Sequence, residues 1–194
     1  LDQIVNDPEL LNFSMAGGKA IFAENCAPCH GTGGVGNVGF PSLLDDDWLW
    51  GGTLDDISHT IHVGIRSTDN EDTRFNQMPS FGRDQILDPT QISQVVQYVM
   101  SFTDRATDPA AVKEGAQIFA DNCAACHGDN AKGSTEMGAP NLTDNIWLYG
   151  GSKAAITNTV TNAHAGVMPA WGAKLSDETI KMLTVYVHSL GGGK

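Results

Sequence analysis

The strongest constraint on the fold of this chain is an internal repeat built around a five-residue motif. The pattern Cys-x-x-Cys-His occurs at 26–30 and again at 123–127. After each motif, a Trp-Leu-aromatic-Gly-Gly run and then a Met-Pro-small-aromatic-Gly run recur in the same order, at 48–52, 147–151, 78–82 and 168–172. A repeat that covers almost the whole chain indicates two copies of one structural unit rather than one large domain.

Helical signals dominate both copies, and no segment shows the alternation of a β-strand. Behind a cap at Asp88, apolar residues follow at i, i+3, i+4 and i+7 from Ile92. Behind a cap at Ser176 the same spacing is repeated by Ile180, Leu183, Thr184 and Val187, which predicts two matching amphipathic helices. Further helices are expected at 17–29, 114–126, 53–63 and 151–162, the last two on weaker signals. The sequence therefore predicts an all-α chain.

The boundary between the copies is expected in a short polar segment at 103–109, where Asp108-Pro109 opens the next helix. We therefore predict two domains, at 1–104 and 105–194. The glycines at 191–193 predict a fraying end.

Composition excludes several classes of function. The net charge of the 194-residue chain is −12, whereas nucleic-acid binding requires a basic face, so no nucleic-acid partner is expected. No run approaches the roughly 18 apolar residues of a membrane helix, so the chain itself is expected to be soluble. Residues 1–104 hold four basic and 15 acidic side chains, against seven and eight in 105–194. The acidic charge concentrated in the first half either steers a basic partner toward it or serves only to keep the chain soluble.

Cys-x-x-Cys-His is the attachment signature of a c-type haem. Both thiols lie on one helical turn, where they reach the vinyl groups of a porphyrin, and the adjacent histidine faces the iron. A thioredoxin-like pair would need a βαβ pattern, a shared zinc site would leave the histidines unexplained, and cysteines so close make an awkward disulfide. The sequence predicts two covalent haem c groups, with thioether anchors and proximal ligands at Cys26, Cys29, Cys123, Cys126, His30 and His127.

Each haem iron needs a second axial ligand. Met78 and Met168 lie in Met-Pro turns at equivalent places in the repeat, 48 and 41 residues after His30 and His127. A thioether there gives His/Met coordination, which raises the reduction potential and suits electron transfer. In sequence order, Met78 would serve the first haem and Met168 the second.

Several residues compete with these two ligands. His59 or His62 in place of Met78 would make a bis-His first haem, and His164 precedes Met168 by four residues. Met100 and Met182 lie in the predicted closing helices and are expected to fill the core. Met15 and Met137 have no counterparts in the repeat and are expected to have no role at the haems.

The residues around the ligands have candidate roles as well. A ligating histidine usually donates its other ring N–H, and the carbonyls of Pro41 and Pro140, 11 and 13 residues after the histidines, are the candidate acceptors. The alternative is that both prolines only mark turns in their loops and have no role at the histidines. Arg66 has no counterpart in the second copy and either pairs with a propionate or a partner's carboxylate or is solvated. Four aromatic side chains either line the haem edge and donate to a propionate or pack in the core: Trp48, Trp50, Trp147 and Tyr149.

At these residues the chain resembles dihaem c-type cytochromes built from class I cytochrome c folds. More narrowly, it is similar to the dihaem subunit III (the P subunit) of cbb3-type cytochrome c oxidases. The resemblance covers roughly residues 15–190 and rests on the segments 17–19, 48–52, 62–66, 76–82, 141–144 and 147–151. It implies two tandem class I cytochrome c domains, each wrapped around one covalent haem c, with no general acid, base or nucleophile in this chain.

The resemblance also implies a function and partners. Such subunits pass electrons from a donor cytochrome c toward the haem-copper oxidase subunit, which reduces oxygen, on the periplasmic side of the bacterial inner membrane. The family carries a membrane anchor that this chain lacks, so we expect a soluble part of such a subunit or a free relative. A free periplasmic dihaem carrier, the haem subunit of a dehydrogenase and a peroxidase with an open iron site are the alternatives.

Overall fold

The computed structural model describes residues 1–191, and in that range it contains nine α-helices, one 3-10 turn and no β-strand. The helices are α1 (Asp2–Asn6), α2 (Pro8–Asn25), α3 (Ala27–His30), α4 (Leu54–Val63), α5 (Pro89–Ser101), α6 (Pro109–Asn122), α7 (Ala124–His127), α8 (Lys153–Asn162) and α9 (Asp177–Leu190), with the 3-10 turn at Thr32–Gly34. Within 1–191, no helix combines the length and the apolar character needed to span a bilayer. The predicted fraying end lies outside the described residues apart from Gly191.

Three of the longer helices begin with the same local signal, an aspartate followed by a proline. Asp7, Asp88 and Asp108 accept hydrogen bonds from backbone N–H groups in the first turns of α2, α5 and α6, and proline, which has no N–H to satisfy, takes the first helical position. Ser176 caps α9 as predicted. The prediction that the first long helix begins at residue 17 is wrong, because the Asp7 cap starts α2 at Pro8.

Backbone contacts divide the chain into two compact units, of which unit 1 is Leu1–Phe75 together with Gly166–Lys194. In unit 1, α9 packs on both α2 and α4. At the crossing of α2 and α9, a Cβ on Gly18 would lie 2.7 Å from Tyr186 Cβ, so only glycine permits this close approach of the helices. The buried cluster consists of Phe22, Ile57, Ile61, Ile180, Leu183, Tyr186 and Val187.

Unit 2 is Asn76–Ala165, and in it α5 packs on both α6 and α8. Gly115 repeats the role of Gly18, since a Cβ on it would lie 2.9 Å from Tyr98 Cβ on α5. The Tyr98 ring also lies 5.3 Å from the Phe119 ring of α6, centroid to centroid. The buried cluster includes Phe81, Leu87, Ile92, Val95, Val96, Val99, Phe119, Ile156 and Val160.

The packed units do not follow the order of the repeats. Helix α9, which ends the second repeat, packs in unit 1, and α5, which ends the first repeat, packs in unit 2. The domains predicted at 1–104 and 105–194 therefore differ from the packed units, and their boundary falls inside unit 2. Sequence could not reveal this, because α5 and α9 both begin at a side-chain cap and present similar amphipathic faces, so each suits either partner helix.

Candidate haem-binding sites

Each Cys-x-x-Cys-His motif forms one tight helical turn. The Cys26 carbonyl accepts hydrogen bonds from the backbone N–H of Cys29 at 3.1 Å and of His30 at 2.8 Å. The Cys123 carbonyl makes the same two bonds in the second motif, at 3.1 and 3.0 Å. Residues three apart lie on one face of such a turn, so the two thiols of each motif are presented together.

The histidine of each motif is fixed by a backbone carbonyl. His30 Nδ1–H donates to the Pro41 carbonyl at 3.0 Å, and His127 Nδ1–H donates to the Pro140 carbonyl at 3.0 Å. A carbonyl oxygen can only accept, so Nδ1 carries the proton in both rings and the Nε2 lone pair is left for a metal. The structure thus brings together each predicted histidine and its predicted proline.

Burial changes the ionisation of the motif side chains. It raises the pKa of Cys26 to about 11 and that of Cys123 to about 11, with a smaller contribution from the second thiol of each motif. Burial also lowers the pKa of His127, against the hydrogen bond to Pro140, which raises it. At neutral pH these two thiols are protonated, and His127 is favoured in the neutral form that ligates a metal.

The Met168 segment is clamped inside unit 1. Met168 exchanges two backbone hydrogen bonds with Ile65, each 3.0 Å long. The backbone N–H of Trp171 donates to the carbonyl of Ile61 in α4 at 3.0 Å. The Met168 side chain packs against the same buried cluster as Cys26.

The Met78 segment is held by the C-terminal end of α8 in unit 2. Ser80 Oγ donates to the Asn162 carbonyl at 2.9 Å, and Ser80 itself is buried. Met78 packs against the buried cluster of unit 2, as do Cys123 and Trp147. Met78 therefore lies with the second Cys-x-x-Cys-His motif, although it belongs to the first repeat.

The packing groups the predicted ligands across the repeats. His30 shares unit 1 with Met168, and His127 shares unit 2 with Met78. Pairing in sequence order is not what the structure shows, because the chain passes from one unit to the other just before each methionine, at 75–76 and again at 165–166.

The competing histidines have other contacts. His62 Nδ1–H donates to the Ser58 carbonyl at 3.0 Å, and its Nε2 lies 3.2 Å from Asp177 Oδ1 on α9. His164 stacks on the ring of Tyr149, with 3.8 Å between the centroids. The remaining candidates are peripheral: His59 is exposed, and Arg66 Nε donates to the Gly166 carbonyl at 2.7 Å.

Comparison with known proteins identifies the family of this chain. Residues 110–187 match the family model described as cytochrome c oxidase, cbb3-type, subunit III, and residues 15–103 match the model described as cytochrome c. The cbb3-type cytochrome c oxidase subunit CcoP of Cereibacter sphaeroides is 55% identical over 194 residues, which is 100% of this chain and 67% of the relative. The chain belongs to the CcoP/FixP family of cbb3-type oxidase subunits.

Other relatives give the same result. Subunit FixP of Azorhizobium caulinodans is 58% identical, covering 100% of this chain and 66% of the relative, and CcoP of Azospirillum brasilense is 54% identical, covering 100% and 68%. The chain thus spans about two thirds of the length of these curated relatives. A chain of the Kuenenia stuttgartiensis reducing HAO-like protein complex Kustc0457/Kustc0458 is 20% identical over 90% of this chain and 96% of that one, with a TM-score of 0.24, too low to bear on the fold.

Membership of the CcoP/FixP family confirms three predictions made from the sequence. They are the family itself, the all-α architecture of two cytochrome c domains, and the two covalently bound haem c groups. The family name does not say which residues hold the haems.

The buried polar groups near the motifs fit haem c. The indole N–H groups of Trp48 and Trp147 are buried, and neither has a hydrogen-bond partner among residues 1–191. A Cβ on Gly52 would lie 2.6 Å from the Trp48 ring and one on Gly151 would lie 2.7 Å from the Trp147 ring, so each Trp ring lies tight against its glycine run. Buried donors without partners are rare in folded proteins, and a haem propionate is an acceptor of the required kind.

Sequence reasoning missed two arginines near the sites. Arg74 Nε and Arg105 Nη2 are buried and have no hydrogen-bond partner within the described chain. The repeat could not reveal them, because His164 holds the position equivalent to Arg74 and because Arg105 lies in the connection between α5 and α6. The sequence feature that could have drawn attention to these two arginines is the small number of basic residues, because only 11 residues of this acidic chain are Lys or Arg.

Proposed function

We propose that this chain relays single electrons through two haem c groups within a cbb3-type cytochrome c oxidase. The observation that carries the proposal is that each packed unit combines one Cys-x-x-Cys-His turn with one methionine at the same core. Haem c supplies reversible one-electron exchange at its iron. With His and Met as its ligands, each haem would suit electron transfer rather than reaction with a peroxide.

The proposed ligand sets cross the repeats. His30 and Met168 ligate the haem of unit 1, and His127 and Met78 ligate the haem of unit 2. Cys26, Cys29, Cys123 and Cys126 form the thioethers, the carbonyls of Pro41 and Pro140 orient the two histidines, and Trp48 and Trp147 face the propionates.

These side chains perform the relay by staying in place. Each of these histidines is held at Nδ1 by a 3.0 Å hydrogen bond, which would fix the orientation of its Nε2 toward a haem iron. The backbone bonds between Met168 and Ile65 restrain the opposite ligand in unit 1. Ligands that do not move leave little to rearrange when an electron arrives.

The relatives are named as subunits of cbb3-type oxidases, and this supports the haem-copper oxidase subunits as electron acceptors. A donor cytochrome c supplies the electrons, on the periplasmic side of the bacterial inner membrane, and a membrane anchor outside this chain belongs to the same proposal. A free dihaem carrier has less support, since the relatives are complex subunits.

We propose that the donor carries a basic surface and docks on unit 1. Unit 1 has 14 acidic and six basic side chains, against nine and five in unit 2. The acidic runs at 45–47 and 69–72 both lie in unit 1. Opposite charges on donor and acceptor accelerate their encounter.

The relay is tested by adding the chain, with both haems attached, to a cbb3-type oxidase complex prepared without this subunit. We expect oxygen consumption driven by reduced donor cytochrome c to recover in proportion to the chain added. The matched control is the same chain with Met168→Leu, which alters one axial ligand and should restore less activity. If both haems accept electrons but oxygen consumption does not recover, the relay proposal is wrong.

The crossed ligand pairing has its own test in the full chain. When Cys26→Ala and Cys29→Ala prevent attachment in unit 1, only the haem of unit 2 is retained. In that background Met78→Leu should abolish the Met-to-iron charge-transfer band, whereas Met168→Leu should leave it intact. The reverse result would show that each methionine ligates the haem of its own repeat, and the crossed pairing would be wrong.

A further inference from the structure

An arginine in unit 1 lies beside the aromatic run that follows the first haem motif. The Arg74 guanidinium carbon is 5.4 Å from the centre of the Trp50 ring, and the side chain is 16% exposed. Its Nη2 donates to the Asp56 carbonyl at 3.4 Å and lies 3.6 Å from Asp56 Oδ1. Its Nε is buried without a partner among residues 1–191, as is Trp48 Nε1.

Unit 2 has a similar arrangement built from a different part of the sequence. The Arg105 guanidinium carbon lies 5.4 Å from the Trp147 ring. Arg105 Nε donates to Thr103 Oγ1 at 2.7 Å, and Nη1 donates to the Gly151 carbonyl. The third guanidinium nitrogen, Nη2, is buried without a partner in the described chain, as is Trp147 Nε1.

Each unit therefore contains one indole and one guanidinium donor that are both buried and unsatisfied. A buried cation destabilises a fold strongly unless an anion or several acceptors compensate it. Burial lowers the pKa of Arg74, and the Asp56 carboxylate acts in the opposite direction and helps to keep the guanidinium charged. An anionic group close to the Trp-Gly-Gly run would accept from the unsatisfied donors in both units, sharing the charge of Arg74 with Asp56 in unit 1 and compensating that of Arg105 in unit 2.

We propose that Arg74 and Arg105 are the propionate counter-ions of the unit 1 and unit 2 haems, and that Asp56 gives the unit 1 haem the lower reduction potential. The proposal rests on the two haems of the proposed function. It adds the residues that meet the propionates and the order of the two potentials.

The order of the two reduction potentials follows from a difference between the two copies of the repeat. Asp56 is in the first turn of α4, where Thr53 Oγ1 donates to its Oδ2 at 2.6 Å. The equivalent position in α8 is Ala155, so unit 2 has no carboxylate there. In unit 1 the charge of Arg74 is shared between Asp56 and the propionate, whereas the charge of Arg105 is left for the propionate alone. The net charges of the units, −8 and −4, act in the same direction.

The electron balance of the step is simple. Ferric iron gains one electron from a reduced donor cytochrome and becomes ferrous, no bond to carbon or hydrogen changes, and the guanidinium keeps its protons. The haem therefore gains one negative charge on reduction. A nearby carboxylate opposes that change and lowers the potential, and an unshared guanidinium favours it and raises the potential.

The test is a spectroscopic redox titration of the full chain with both haems attached. With Asp56→Asn, which keeps an oxygen for the Thr53 hydroxyl, we expect the lower of the two midpoint potentials to rise and the upper one to stay. The electron equilibrium between the haems should change about threefold, or about 30 mV at 59 mV per tenfold for one electron. The matched control is Asp55→Asn, on the same helical turn but exposed, which should move neither potential.

The arginine assignment is tested in the same titration. Arg105→Gln should lower the upper midpoint potential by about 59 mV, which is about a tenfold change in the electron equilibrium between the two haems. It should also make that potential depend on pH, because a propionate without its counter-ion takes up a proton on reduction. Arg105→Lys should restore part of the shift.

The outcomes separate this proposal from the proposed function. If Asp56→Asn moves the upper potential or moves neither, or if Asp55→Asn matches it, the proposed order of the two potentials is wrong. If Arg105→Gln shifts neither the potential nor its pH dependence, the counter-ion assignment is wrong. If the chain shows no pair of one-electron transitions at all, the proposed function itself fails.

Discussion

The glycine at the crossing of α2 and α9 gives the sharpest stability prediction. A Cβ on Gly18 would lie 2.7 Å from Tyr186 Cβ and nearer still to the Met182 carbonyl oxygen. Carbon atoms in contact prefer about 3.5–4.0 Å, so the two helices must separate by about 1 Å to admit one methyl group. The obstacle is the backbone and Cβ of α9, which cannot swing away as the end of a side chain can.

For Gly18→Ala the opposing effects can be weighed. Overpacking costs about 1–3 kcal/mol, and a clash with backbone belongs to the upper half of that range. Replacing glycine by alanine inside a helix returns about 1 kcal/mol. We therefore expect a net loss of about 1–2 kcal/mol in the free energy of unfolding of unit 1, and a lower melting temperature by about 4–8 °C per kcal/mol.

The neighbouring Gly17 provides the control. A Cβ there would meet only the Met182 side chain, with its Sδ at 2.8 Å, and that flexible end can move aside. Gly17→Ala should therefore be neutral or stabilising. Thermal unfolding of the haem-loaded chain, followed by circular dichroism, measures both variants. The packing described for unit 1 is refuted if Gly18→Ala is as stable as Gly17→Ala.

Three further predictions concern the ligands, the charge and the haem. His59→Ala and His62→Ala should both leave the absorption spectra of the two haems unchanged, and His62→Ala should cost less than about 1 kcal/mol, since its partner Asp177 is exposed; loss of a low-spin haem spectrum in either variant would make that histidine a ligand. The rate of electron uptake from a basic cytochrome c should fall when the salt concentration is raised from 0.01 M to 0.15 M, because the Debye length falls from about 30 to about 8 Å. A rate that does not depend on salt would exclude electrostatic docking on unit 1. A chain with alanine at all four cysteines should lose most of its helical circular dichroism, because neither core is complete without haem, and a native-like spectrum would contradict this.

Much of the local structure could be read from the sequence because its causes are local. The Asp88 cap and the apolar spacing from Ile92 produced α5 where they predicted it. The start of α2 was missed, although Asp7-Pro8 is the same kind of cap, because the apolar spacing between residues 8 and 17 is weak.

The environment of the haems was harder to foresee. The Pro41 and Pro140 carbonyls were identified from their equivalent places in the repeat, each following its histidine across a glycine-containing loop, although the two loops differ in length. Arg74 and Arg105 were not, because they reach similar aromatic runs from unrelated positions in the repeat.

The sequence by itself determined which chemistry this chain performs. Two Cys-x-x-Cys-His turns specify two covalent haems, since the reach of the thiols and the imidazole is set within five residues of helical turn. Only the tertiary structure decided which methionine packs with which Cys-x-x-Cys-His motif. Helices α5 and α9 have similar apolar spacing, and the close contacts of Gly18 with α9 and of Gly115 with α5 are of the same kind. Local sequence therefore does not select between the two helices, and the partner of each is fixed only when the whole chain packs.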